Sequence, residues 1–341
     1  MINTVCGEID KKDLGKVLPH EHLLIDLDIF AIETPENKHV FHQKLNMKNL
    51  HHVLRDPYFI RDNAKMDSLE VAIEEVKLFK ACGGNTIVDV TLDDIGRDPI
   101  KLKTISEKTG VNIIMGCGHY VDKAHTDKVR NATVKQLAKE IINDITIGVR
   151  DTGIKAGIIG EIGTSAVVTE SEWKNVEAAG IAHIETGKAI HVHTSLYERN
   201  GLDIAKKLLA MGVNPKKLVI DHIDVDIRID YILELLDLGI NVEFDNFGKE
   251  FYIPKRENLA LNGRFAYDLE RAETIAKLVE KGYVNQLLLT NDICIKNMLT
   301  TYGGFGYSRV FVDNIPMLRD CGVNQQNIEM MIVKNPAELL G

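Results

Sequence analysis

Ala189-Ile190-His191-Val192-His193-Thr194 follows a helical stretch, 170–186, that Gly187 stops, and precedes another, 202–211, that Gly212 stops. A short apolar run between two helices, with glycine at the helix ends, reads as a buried parallel strand in a βα unit. The same unit recurs in both directions along the chain. Toward the N-terminus, helix 67–81 leads through Cys82-Gly83-Gly84 into strand 85–91, helix 99–109 and Gly110 into 111–117, and helix 133–149 into 156–162. Toward the C-terminus, strand 217–222 follows Gly212, helix 229–238 and Gly239 lead into 240–245, and helix 267–281 and Gly282 into 286–292. Helical stretches 307–320 and 324–333 finish the chain. With a first strand at Leu18-Pro19-His20-Glu21-His22 there are eight strands, each followed by helix. The reading is an α/β chain forming a single (β/α)8 TIM barrel over residues 1–341, with its working residues where strands end. A doubly wound open sheet would need a glycine-rich phosphate turn after an early strand, and the sequence has none.

Composition narrows the class. Forty-one basic residues against 50 acidic ones give a net charge of −9, which offers no attraction for nucleic acid or an anionic membrane. No apolar run reaches the ~18 residues of a membrane span, and Met1 to Asp10 lacks the layout of a signal peptide, so a cytoplasmic protein is expected. The 5 cysteines are scattered without a CxxC pair, which argues for reduced thiols. Segment 26–66 has no clear periodicity and is long for a connection, which suits a lid or a stretch with short helices of its own.

The strand ends are chemically unlike the strands. The first carries His20 and His22, one strand-repeat apart on one face with Glu21 on the other; the fourth ends Gly160-Glu161-Ile162-Gly163. The fifth ends in His191 and His193, the sixth in Asp221-His222, the eighth in Asn291-Asp292. Isolated buried carboxylates are expensive, and metal ions would make such a cluster favourable. Histidine with carboxylate suits two divalent ions, zinc first and manganese, cobalt or iron as alternatives, held about 3.5 to 4 Å apart by a shared carboxylate. Asp292 could bind one ion and also accept the proton of a bridging hydroxide. His191, a strand-repeat deeper than His193, reads as a neighbour of the site or a core residue, while His119 and Tyr120 after the third strand are placed to touch substrate.

The ordered set of motifs resembles the phosphotriesterase-like family of the amidohydrolase superfamily over nearly the whole chain. It comprises Leu18-Pro19-His20-Glu21-His22, Val88-Asp89-Val90-Thr91 with Gly96-Arg97-Asp98-Pro99, and Ala156 to Ser165. Later members are His193-Thr194, His222, Asn291-Asp292, Tyr302-Gly303-Gly304-Phe305-Gly306-Tyr307 and Asn335-Pro336-Ala337. The resemblance implies a binuclear metal hydrolase, with His20, His22 and Asp292 on the more buried ion, His193 and His222 on the more exposed one, and Asp292 as catalytic proton acceptor. Many members bridge the ions with a carbamylated lysine where this chain has Gly160. Glu161, one residue on, is the bridge expected here, because Lys155 opens the strand and lies roughly 20 Å away at ~3.3 Å per residue.

Specificity must come from loops. The loop after strand seven carries Lys249, Lys255, Arg256 and Arg264 with Tyr252 and Tyr267, which suits an anionic group on the substrate. Lys249, Arg264, Tyr267 and Tyr120 are the candidate substrate contacts. Together with the family resemblance this points to opening of a small anionic lactone, a sugar-lactone phosphate first, by a metal-bridging hydroxide. The alternatives are a phosphotriesterase or acyl-homoserine lactonase type of esterase, an N-acyl amino acid amidohydrolase, and a metal-dependent binding protein without turnover. A homodimer is the expected assembly.

Overall fold

The computed structural model describes residues 1–196, 198–251 and 265–341. Eight parallel strands form the barrel wall: β1 Val17–Glu21, β2 Thr86–Asp89, β3 Asn112–Met115, β4 Ile159–Gly163, β5 Ile190–His193, β6 Leu218–Ile220, β7 Asn241–Phe244 and β8 Leu287–Leu289. They run as one arc of three, β1 to β3, and one of five, β4 to β8. The arcs are joined from β3 to β4 by the Gly157 and Gly160 amides donating to Met115 O and Cys117 O, both at 2.8 Å. At the other seam the Thr290 hydroxyl donates to His20 O at 2.7 Å. Most strands are shorter than the reading by a residue or more: β4 starts at Ile159 rather than 156, and β6 and β8 stop at Ile220 and Leu289, which leaves His222 and Asp292 in the loops beyond them.

The helices begin and end where local chemistry permits. They are α1 Leu69–Ala81, α2 Pro99–Thr109, α3 Val134–Thr146, α4 Glu170–Thr186, α5 Gly201–Ala210, α6 Ile229–Asp237, α7 Asp268–Glu280 and α8 Ile315–Asp320. Asp98 caps α2 by accepting from the Lys101 amide, Pro99 occupies its first turn, and Gly110 closes it in the left-handed region. Thr133 with Gln136 and Thr169 with Glu172 form capping boxes on α3 and α4. The apolar faces of these helices and the outer faces of the strands make one continuous core, with Ile87, Ile113, Ile159, Val192, Ile220 and Leu289 all buried. A second cluster, including Val17, Val88, Ile114, Val219 and Leu288, fills the barrel interior below the site. No described helix is long and apolar enough to cross a membrane.

Two parts were less legible. An antiparallel hairpin, Ile2–Thr4 with Gly7–Ile9, precedes β1. It packs on the amino ends of the strands, where Asn3 Nδ2 donates to Ala156 O at 2.8 Å and the Val5 amide to Ile113 O at 2.9 Å. Segment 26–66 does contain short helices, at Asp28–Phe30, Leu50–Val53 and Arg61–Ala64, and is fastened by Ile25–Asp26 pairing with Lys65–Met66. It returns over the carboxyl ends of the strands.

Candidate metal centre and its cavity

The six residues expected as ligands converge. His22 Nε2 lies 3.3 Å from Glu161 Oε1 and 3.2 Å from Asp292 Oδ1. His20 Nε2 faces the same carboxylates at 3.6 and 3.7 Å. On the other side His193 Nδ1 lies 2.9 Å from Glu161 Oε2 and 2.8 Å from His222 Nε2, which is itself 3.7 Å from Glu161 Oε2. Glu161 therefore stands among all four imidazoles, its Oε1 toward His22 and its Oε2 toward His20, His193 and His222.

The second nitrogen of each ring faces a polar side chain. His20 Nδ1 meets Glu243 Oε2 at 3.0 Å, His22 Nδ1 meets Thr91 Oγ1 at 2.8 Å, and His222 Nδ1 meets Asp245 Oδ2 at 3.1 Å. His193 Nε2 faces the Tyr120 hydroxyl at 3.3 Å. Such partners set the tautomer and aim the free nitrogen inward. His20 Nε2 is fully buried and has no hydrogen-bond partner among the described residues, as suits a ligand nitrogen. Four imidazoles and two carboxylates in this arrangement fit two divalent ions, His20, His22, Glu161 and Asp292 around one, His193, His222 and Glu161 around the other.

The backbone explains why a bridging carboxylate would come from Glu161 and not from position 160. Gly160 has φ +120°, and a Cβ there would meet His191 O at 2.3 Å, so this position admits no side chain. The carboxylate moves one residue on, into the barrel. Asp292 and His222 also adopt positive φ, 47° and 60°, conformations that asparagine and aspartate tolerate best and that other side chains adopt at a cost of ~1–3 kcal/mol. Glu21, opposite His20 and His22, fastens the loop that presents Asp292. Its Oε1 accepts from the Asn291 backbone and side-chain amides, both at 2.8 Å, and its Oε2 from the Ile293 amide at 2.8 Å.

A cavity of about 130 Å³ opens onto the cluster. Leu27, Phe251, Phe265 and Ile295 give it apolar walls, and Tyr120 and Lys249 reach it from opposite sides. Lys249 is buried and its ammonium is paired with Asp292 Oδ2, the oxygen turned away from His22. Burial would lower the lysine and raise the carboxyl, but their mutual attraction prevails, holding the ammonium above and the carboxyl below their ordinary values. Arg55 and Tyr58 from segment 26–66 also line the cavity.

The other candidates are distributed as follows. Tyr267 caps α7, is 46% exposed and stands off the cavity, its amide donating to Glu270 at 2.7 Å. Arg264, Tyr252, Lys255 and Arg256 lie outside the described residues. Of the cations that follow β8 in the chain, Lys296 pairs with Asp62 and Arg309 with Asp268, so neither faces the site. His119 does not share the orientation of Tyr120. Neighbours in extended chain point to opposite sides, and its ring packs off the cavity near Asp94, 3.8 Å away, and Glu140, 3.9 Å away. The carboxylates Asp221, named only as the end of the sixth strand, Glu243 and Asp245 and the cation Arg55 have no role at the site in the sequence reading. A carboxylate inside an otherwise apolar strand is the signal that finds the first three.

Asp94, which positions Tyr120 by accepting its amide at 2.9 Å, yields a stability test. Burial pushes its carboxyl up to about 6. The folded chain thus holds this proton more tightly than the unfolded chain, so the associated stability is present below the ordinary carboxylate range and lost as pH rises through about 6. Asp94→Asn keeps the acceptor and removes the charge. Its Tm should match the parent near pH ~4 and exceed it at pH ~7 to 8, by about 1–3 kcal/mol in stability. A variant less stable than the parent at the higher pH would mean the ionised carboxylate is held favourably.

A family model described as "Phosphotriesterase family" matches residues 1–340. The chain belongs to the phosphotriesterase family. Among its relatives, the N-acetyltaurine hydrolase of Dictyostelium discoideum is 33% identical, with 99% of this chain and 97% of that protein covered. The solved resiniferatoxin-binding protein of Rhodobacter sphaeroides superposes with a TM-score of 0.95 at 32% identity, covering 99% of this chain and 94% of that one. The phosphotriesterase homology protein of Escherichia coli, solved with phosphate in its active site, gives 0.81 at 29% identity over 98% and 100%. This phosphotriesterase-family chain is accordingly a TIM-barrel hydrolase with a buried histidine and carboxylate group that fits metal.

Proposed function

We propose that the chain hydrolyses a carboxylic acyl bond in a small substrate bearing one strongly acidic group, with Lys249 holding that group and Asp292 moving the proton. The observation that carries this is the buried Lys249 ammonium beside Asp292 in a cavity whose remaining walls are largely apolar. Two divalent ions, zinc first, would supply Lewis acidity toward the carbonyl and water of lowered pKa. Glu161 would hold both ions, and the Asp292 carboxylate would accept the proton released as water adds and return it to the leaving group. Tyr120, its hydroxyl kept protonated by burial, would donate a hydrogen bond toward the polarised oxygen. The apolar walls would exclude bulk water.

Among the described residues, Lys249 and Arg55 are the cations lining the cavity, which suits a single sulfonate or carboxylate. An N-acyl amino sulfonate or amino acid is therefore the first reading, in keeping with the name of the Dictyostelium relative. The sugar-lactone phosphate remains the second. It is supported by the sequence of the loop after β7, three of whose cations, Lys255, Arg256 and Arg264, lie outside the described residues.

The deciding experiment compares metal-replete protein on N-acetyltaurine, an N-acetyl amino acid, a phosphorylated lactone and neutral counterparts. A marked preference for either anionic amides or phosphorylated lactones selects between the readings, and activity on neutral esters or acyl-homoserine lactones alone would sink both. Lys249→Ala should raise KM for the preferred anionic substrate by about tenfold to a hundredfold, the worth of a charge-assisted hydrogen bond, with a far smaller change for the neutral counterpart. Equal changes on both would remove Lys249 from anion recognition.

A further inference from the structure

Directly beneath His20 lies a second buried group, none of whose atoms is a ligand of the two-metal site. His191 on β5, Glu243 on β7 and Asp221 just past β6 are fully buried. His191 Nδ1 lies 3.6 Å from Asp221 Oδ1 and 3.7 Å from Glu243 Oε1. His20 Nδ1 lies 3.5 Å from Asp221 Oδ2 and 3.0 Å from Glu243 Oε2. Ligand atoms of all four residues fall within 4.8 Å of one another.

Three features of this cluster are unlike a hydrogen-bonded core. Among the described residues, both nitrogens of His191, both carboxylate oxygens of Asp221 and Oε1 of Glu243 have no hydrogen-bond partner. Among the described residues the carboxylates have His20 and His191 as their ionisable partners, and no lysine or arginine. Two carboxylates buried with so little compensation cost several kcal/mol. Finally, His191 Nδ1 stands 3.6 and 3.7 Å from the two carboxylates, beyond the usual ~2.7–3.2 Å of a hydrogen bond. These two spacings lie at and just above the ~3.3–3.6 Å edges of a tetrahedron built on metal–ligand bonds of ~2.0–2.2 Å.

We propose that His191 Nδ1, Asp221 and Glu243 form a third, fully buried site for a divalent first-row transition metal, tied to the two-metal centre through His20. One imidazole and two carboxylates suit zinc, manganese or iron(II). His20 keeps its Nδ1 proton on Glu243 and its Nε2 for the centre above, so the third ion offsets the two buried charges and fixes the carboxylate that orients His20. Sealed below the catalytic layer, this ion exchanges more slowly than the other two. The inference rests on the two-metal reading only through that shared ring.

The test is metal content of protein reconstituted with a single metal, zinc or manganese, together with anomalous diffraction at that metal's absorption edge. Expected are three equivalents and three peaks, one of them between His191, Asp221 and Glu243, with a chelator removing two equivalents fast and one slowly. Glu243→Gln should lose the third peak and keep the pair at Glu161. His193→Ala should lose the peak beside His222 and keep the third. Should the Glu243 variant fail to fold, the map of the unaltered protein decides alone. Two peaks flanking Glu161 and none at His191 would overturn the third site and leave the two-metal reading standing. A peak at His191 with none at Glu161 would do the reverse.

Discussion

Asp292→Asn should leave the fold intact and lower kcat by about 10²- to 10⁴-fold, the range associated with loss of a positioned proton acceptor. Asparagine is the informative replacement because Asp292 has φ 47°, a left-handed conformation that asparagine adopts almost as readily. The amide retains an oxygen toward His22 but cannot take a proton, and it leaves the Lys249 ammonium without its counter-charge. Metal content and circular dichroism should therefore stay close to the parent while turnover collapses across the pH range. Full activity in a metal-replete Asp292→Asn protein would show that another group carries the proton. Loss of both ions would instead assign the residue a purely structural role.

Glu161→Gln is expected to be at least as severe, for a different reason. Its carboxylate meets all four imidazoles, Oε1 facing His22 and Oε2 facing His20, His193 and His222. A neutral amide cannot bridge two divalent ions, so bound metal should fall from the pair at this centre to one ion or none, with activity below detection. Added lysine-directed bicarbonate chemistry should not restore it. Gly160 holds the place where the bridging lysine of many relatives would stand, and the His191 carbonyl occupies the space of any side chain there. A variant that kept both ions at Glu161's position would show that the histidines alone suffice to hold them.

Both predictions concern residues visible in the sequence, and the reason is local. His20 and His22 share a face because strand geometry alternates, and His193, His222 and Asp292 each follow a run of aliphatic residues that reads as buried strand. Eight such runs, each closed by a helix and most often a glycine, specify the barrel, and the barrel brings its strand ends together. The hairpin at Ile2 to Ile9 escaped because its strands are three residues each, too short to show a period. The lengths of β4 and β8 were also blurred, since apolar residues run past the last ladder bond.

The sequence by itself thus determined the barrel and its six metal-binding candidates, because both depend on patterns within a few residues of each other. Only the tertiary structure decided what surrounds them. It turned Lys249 onto Asp292 across the gap between two loops, set Arg55 and Tyr58 at the cavity from a segment without periodicity, and left Tyr267 at a helix cap. It also assembled His191, Asp221 and Glu243 from three separate strand regions into one buried cluster. Contacts of this kind depend on the twist and radius of the closed sheet, which no local pattern encodes.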